Sequence, residues 1–166
     1  MTHAGPIAVM KSMITTWKAD NPLTLAVQNF TERGSLKYLI GVDSANQPPV
    51  ALAPMVCMAP GDYQRDVARS SKNRVIKVGL VIVDKRMRDG DGNPITIEDA
   101  RIMTADTIVM AGLEALEAIV PALEKALEQF WKTVTNDTCV PGTINTEIYF
   151  PQFRATWDYT FRERYI

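Results

Sequence analysis

The sequence has few of the side chains from which metal sites and nucleophilic sites are usually built. Its 166 residues include one histidine and two cysteines, and the cysteines, Cys57 and Cys139, form no CxxC pair. A zinc site needs about four such ligands, and a triad needs a histidine held in a pocket, whereas His3 lies beside the N-terminus. We therefore predict no catalytic residue, no metal and no cofactor, and interpret both cysteines as small apolar side chains.

The chain also lacks an excess of charge of either sign. It has 18 basic and 19 acidic residues and a net charge of −1, which argues against general attraction to nucleic acid or to an anionic membrane. It has no glycine-rich phosphate motif, no apolar run long enough for a bilayer and no secretory signal. These absences predict a soluble intracellular protein with no membrane partner and no sequence-specific nucleic-acid partner.

The strongest positive pattern lies in the last sixty residues. Apolar side chains recur in steps of three and four, as one face of a helix requires. They are Val109, Leu113, Leu116, Val120, Leu123, Leu127, Phe130 and Val134. We interpret this stripe as core packing rather than a coiled-coil seam. Between 153 and 162, aromatic or small residues alternate with Arg, Thr and Asp, the period of a strand with one buried face.

The remaining segments predict one α+β domain over 1–166, in which an antiparallel or mixed sheet of about four to five strands packs on a long helix and an N-terminal helix. Helices are expected at 7–19 and from the Asn21-Pro22 cap to a stop at Gly34. Strands are expected at 36–42 and 50–58, with a central strand at 75–84 and a closing strand pair at 144–150 and 153–166, broken at Pro151. Pro54 would confine its strand to an edge or a bulge. The long helix starts near Thr96 or Thr104 and ends near Lys132, and Pro121 kinks or splits it.

Two exposed segments are the candidates for contacts with other proteins. Residues 59–74 lack periodicity and predict a long loop, which could be a solvated loop or a protein-contact loop. The turn at 89–94 has part of a calcium-loop spacing but lacks its glycine and its glutamate, so a surface turn is favoured. The candidate contact residues are Arg65, Arg69, Lys72, Arg74, Asp89, Asp91, Arg162 and Arg164.

In the order of its elements the chain resembles the tail terminator (tail-completion) proteins of long-tailed bacteriophages. The resemblance rests on residues 48–54, 73–83, 104–132 and 153–162 and covers most of the chain. It implies a small α+β fold that forms a hexameric ring, ends tail-tube polymerisation and joins the tail to the head. The implied partners are further copies of the chain, the tube protein and a head-connector or stopper protein, in the virion tail or neck and, during assembly, in the host cytoplasm.

Three other interpretations stay open. The chain could be a head-completion or tail-tube subunit, which belongs to the same structural class. It could be a hotdog-like thioesterase with Asp106 as an acid, although that fold needs more strands after its helix than remain here. It could also be an intracellular adaptor that binds a small molecule or a peptide.

Overall fold

The computed structural model describes residues 5–44, 49–61, 64–66, 71–103, 107–135 and 139–164. The helices are α1 (Pro6–Ala19), α2 (Asn21–Phe30), α3 (Ile97–Ile102), α4 (Ala111–Ala126) and α5 (Glu128–Thr135), and Val50–Leu52 is one turn of 3-10 helix. The strands are β1 (Lys37–Ile40), β2 (Met55–Pro60), β3 (Gln64–Asp66), β4 (Ser71–Val83), β5 (Met87–Asp89), β6 (Pro94–Ile95), β7 (Ile108–Met110), β8 (Val140–Pro141), β9 (Asn145–Tyr149) and β10 (Gln152–Arg164). This is the predicted α+β class.

Among the described residues, a mixed sheet of seven strands forms the body of the molecule. Its order is β1-β2-β4-β10-β8, with β3 also paired to β4 and β9 also paired to β10. Strands β4 and β10 are antiparallel partners along all 13 residues of each. Both strands have a neighbouring strand on each side. Long, apolar strands such as these are typical of this central position in a sheet. The predicted central strand and the closing pair of strands are confirmed.

The core lies between one face of this sheet and helices α1, α2, α4 and α5. Every second residue of β10 from Phe153 to Phe161 is buried there, and those from Phe153 to Tyr159 lie opposite Ile82, Leu80, Val78 and Ile76 of β4. Leu116, Val120, Leu123 and Leu127 pack against this face from the helices. From Leu113 to Phe130 the helical stripe is therefore core, as predicted. Val109 belongs instead to β7, and the side chain of Val134 lies outside the described residues.

Two predicted elements are wrong in extent. The proposed loop at 59–74 is strand in its described parts apart from Gly61, because β2 runs to Pro60 and β3 pairs with the start of β4. The strand was missed because the charged residues of this segment do not alternate with apolar ones. Strand β3 forms by pairing with residues further along the chain, which a local pattern does not show. The proposed edge strand at 50–58 is also wrong: β2 begins after Pro54 and pairs with β1 on one side and β4 on the other.

The predicted long helix is present as α4, but its predicted bounds, 96 or 104 to 132, are wrong. A short helix, α3, is closed at its start by a reciprocal capping box of Thr96 and Asp99. Strand β7 follows and pairs with β5 in a separate three-stranded sheet, β6-β5-β7. Pro121 lies inside α4 and does not split it, and the helical segment ends instead at Ala126. Thr104 lies outside the described residues.

Candidate assembly surface

The basic candidates gather at one end of the sheet, where β4 begins and β10 ends. Arg65 is the register partner of Lys72 in the β3–β4 pair. Arg162 and Arg164 of β10 are the partners of Asn73 and Ser71, and Arg74 is the partner of Phe161. We call these three strand ends the basic end. Its described residues include five basic ones and two acidic ones, Asp66 and Glu163. Arg69 lies outside the described residues.

The acidic candidates lie on the turn between β5 and β6. The Asp89 carboxylate accepts the backbone N–H of Asn93 at 2.9 Å and that of Asp91 at 3.0 Å. The N–H donated by Asn93 is the main cause of a lowered Asp89 pKa, with further contributions from Asp91 and Gly92. The calcium-like spacing is thus a turn in which the first carboxylate ties the backbone together.

Helix α3 adds two more carboxylates directly after this turn. Glu98 and Asp99 are both exposed. Backbone and hydroxyl hydrogen bonds to Thr96 lower the pKa of Asp99, so it is ionised at neutral pH. Arg101 follows in α3, with its guanidinium 3.6 Å from the Glu98 carboxylate. We call the β5–β6 turn together with α3 the acidic end, since residues 89–101 hold four acidic residues and one basic residue. The Arg88 guanidinium donates to the Gly92 carbonyl of this turn at 3.3 Å, so two basic groups face the four acidic ones.

An ion-pair network fixes the acidic end beside the point where β4 finishes. Asp84, just after β4, is buried and binds the Arg86 guanidinium with two contacts of 2.8 and 3.1 Å. Arg86 also lies 3.4 Å from Glu32 on the segment after α2. The hydrogen bond to Asp84 is the largest cause of the raised Arg86 pKa. The Arg86 carbonyl accepts the first N–H of α4, from Ala111. The basic and acidic ends therefore lie at opposite ends of β4.

Large apolar side chains are exposed around the acidic end. Ile97 and Ile102 of α3 are 55% and 81% exposed. Ile108, the register partner of Asp89, is also exposed, as are Val83 at the end of β4 and Phe150 in the β9–β10 turn. Single exposed apolar residues are ordinary, but apolar residues interleaved with charge are typical of protein-contact surfaces.

A polar groove that the sequence did not reveal lies on the face of the sheet opposite the helices. It encloses about 370 Å³ and is lined mainly by Asp43, Lys77, Asn145, Thr156 and Asp158. The Lys77 ammonium lies 3.7 Å from the Asp43 carboxylate. The hydroxyl, amide and carboxylate groups that line the groove could bind a small polar group. The only sign of this groove in the sequence was the Thr and Asp residues that alternate with aromatic residues in the strand predicted at 153–162.

Two close contacts frame this groove. Gly79 of β4 has no room for a Cβ because Ser44 lies against it. Arg154 of β10 donates to the Ser44 carbonyl at 2.8 Å and to the Glu147 carboxylate at 2.9 Å. The segment after β1 is thereby held across the sheet.

Strand β9 is an open edge. Within the described part of the chain it pairs only with β10, and all five of its residues are exposed. Unpaired backbone N–H and C=O groups on such an edge can receive another strand. The sequence predicted a strand here but not that it lies at the margin of the sheet.

Of the residues considered for chemistry, the structure describes Cys57 and Cys139, and these two lie in separate apolar clusters. Cys57 is buried beside Met55 and Val81, and burial raises its pKa to about 11. Burial likewise raises the pKa of Cys139 to about 12. Both thiols therefore have the properties of apolar side chains. His3 and Asp106 lie outside the described residues, and among those described no three His, Cys, Asp or Glu side chains are grouped as a metal ion requires.

No protein-family model matches this chain, and no curated protein matches it at a significant level. Among the described helices, none combines the length and the apolar composition needed to cross a bilayer.

Proposed function

We propose that this protein is a structural virion subunit that forms a hexameric ring at the head-proximal end of a phage tail. In this role it stops polymerisation of the tail tube and joins the tail to the head connector. Its partners are further copies of itself, the tube protein and a head-connector or stopper protein. It acts without a catalytic residue, in the virion tail or neck and, before that, in the host cytoplasm.

The observation that carries this proposal is the placement of the contact candidates at opposite ends of one long sheet. A ring subunit needs two different surfaces on opposite sides, because each copy contacts one neighbour with each surface. The basic end and the acidic end supply such a pair. The element order that resembles tail terminator proteins supports the virion setting.

The test is the solution mass of the purified full chain by light scattering, with negative-stain imaging of the same sample. The expected result is a particle of about six times the 18.5 kDa chain mass, seen as a ring. A stable dimer or tetramer without rings would contradict the proposal and favour a hotdog-like enzyme.

A tail-tube subunit is the second candidate, favoured by the open edge of β9. A tube continues its sheet from one subunit to the next, and an unpaired edge strand permits this. Long tubes in the same images would support this candidate over the terminator, whereas closed rings of constant size would contradict it.

A further inference from the structure

The two charged ends are too far apart to neutralise each other within one copy of the chain. Strand β4 has 13 residues, and the basic end lies at its start while the acidic end follows its last residue. At about 3.3 Å a residue the strand alone spans roughly 40 Å. Charges separated by more than a Debye length of about 8 Å at physiological salt interact very little.

The acidic end combines charge with exposed apolar surface. Asp91 and Glu98 are exposed and lie on either side of β6. Ile97 and Ile102 are exposed on the same short helix as Glu98. An apolar centre with a charged rim is the usual composition of a specific protein contact.

We propose that the acidic end of one copy binds the basic end of a second copy, head to tail. The occupant is chosen by charge complementarity, since the excess of basic residues at one end meets the excess of acidic residues at the other. When two copies join in this way, the basic end of one and the acidic end of the other remain free. Further copies can therefore add until a ring closes. This inference rests on the proposed function and adds to it the surfaces that join neighbouring subunits.

Charge-swapped variants of the full chain test this contact. The acid-reversed variant is Asp91→Lys with Glu98→Lys, which spares the carboxylates of Asp89 and Asp99 that hold the turn and the helix cap. The base-reversed variant is Arg162→Glu with Arg164→Glu. Each variant alone places like charges in the contact and should associate at least about tenfold more weakly than the wild type.

An equimolar mixture of the two variants should recover assembly. In the mixture, the two variants alternate. The unchanged acidic end of one variant meets the unchanged basic end of the other, and at the next contact the two reversed ends meet with their charges exchanged. Light scattering should therefore find particles of the wild-type mass in the mixture and small species in each separate sample. High salt should weaken assembly of the wild type and of the mixture alike.

Matched controls reverse exposed charges on the helices. They are Lys11→Glu with Lys125→Glu and Glu117→Lys with Glu128→Lys, and each should assemble as the wild type does. Far-UV circular dichroism must match the wild type for every variant that is interpreted.

A second readout needs no variant. A zero-length carbodiimide should join Lys72 at the basic end to Asp91 or Glu98. In a mixture of ¹⁵N-labelled and unlabelled wild-type protein, the joined peptides should carry both isotopes.

The failures of the two proposals can be told apart. Rings that persist in both reversed variants, with no such cross-link, would overturn the head-to-tail contact and leave the ring function standing. A wild-type chain that remains monomeric at low salt, or closes as a dimer, would overturn both.

Discussion

Substitution of Trp17 by phenylalanine should destabilise the fold much more than the same change at Trp157. Trp17 is fully buried, and its indole N–H donates to the Leu123 carbonyl at 2.9 Å. That carbonyl needs a partner because α4 ends at Ala126 and the Leu127 N–H bonds to Glu124 instead. The indole therefore satisfies a backbone group that the break between α4 and α5 leaves open.

The expected magnitude follows from two terms. The smaller ring costs about 1 kcal/mol through lost burial and a residual cavity. A buried carbonyl without a partner costs about 1–3 kcal/mol more. We therefore expect the free energy of unfolding to fall by about 2–4 kcal/mol in Trp17→Phe.

Trp157 provides the matched control. It is 4% exposed, and its indole N–H meets no hydrogen-bond partner in good geometry in the described part of the chain, the Tyr159 hydroxyl being the polar group near it. Trp157→Phe should thus cost only the size term, about 1 kcal/mol. Urea unfolding followed by far-UV circular dichroism measures both variants, provided that their m-values agree. A loss in Trp157→Phe equal to or greater than that in Trp17→Phe would refute the reasoning.

Three further predictions concern the core and its charges. Gly112→Ala should lower the free energy of unfolding by about 1–3 kcal/mol, because a Cβ there would overlap the Phe153 ring, while Gly5→Ala, in open space at the N-cap of α1, should cost only about 0.5 kcal/mol in the same urea titration. Asp84→Asn should cost about 1–3 kcal/mol by the same measurement, since it removes the charge of a buried carboxylate that binds the partly exposed Arg86 guanidinium; no change would contradict that role. The Cys57 thiol, whose pKa burial raises from 9.0 to about 11, should react with Ellman's reagent at pH 8 at least about 100-fold more slowly in the native protein than in urea; equal rates would show the site to be open.

The predictable parts of the fold are those in which burial of one face makes apolar residues recur at a regular spacing in the sequence. The alternation from Phe153 to Phe161 identified β10 and its buried face, and the stripe from Leu113 to Leu127 identified the helices that cover it. Both patterns are direct consequences of backbone geometry. Each is therefore readable without knowing which element packs on the other.

The predictions failed where a local pattern did not reveal the element's boundary or its partner. Residue spacing could not separate Val109 of β7 from the first turn of α4, because one apolar residue suits either period. Strand β3 owes its conformation to backbone pairing with residues 71–73 and has no apolar alternation of its own. The break after Ala126 is compensated by Trp17, more than a hundred residues away in the chain.

The candidate surface shows the same division. The sequence by itself determined which residues carry charge, and it assigned Asp89 and Asp91 to a turn and Arg162 and Arg164 to the last strand. Only the tertiary structure placed Arg65, with Lys72 and the end of β10, at one end of the sheet and the acidic turn beyond the other. Formal charge is a property of each residue, whereas the side of the molecule on which it lies depends on the pairing of strands distant in the chain.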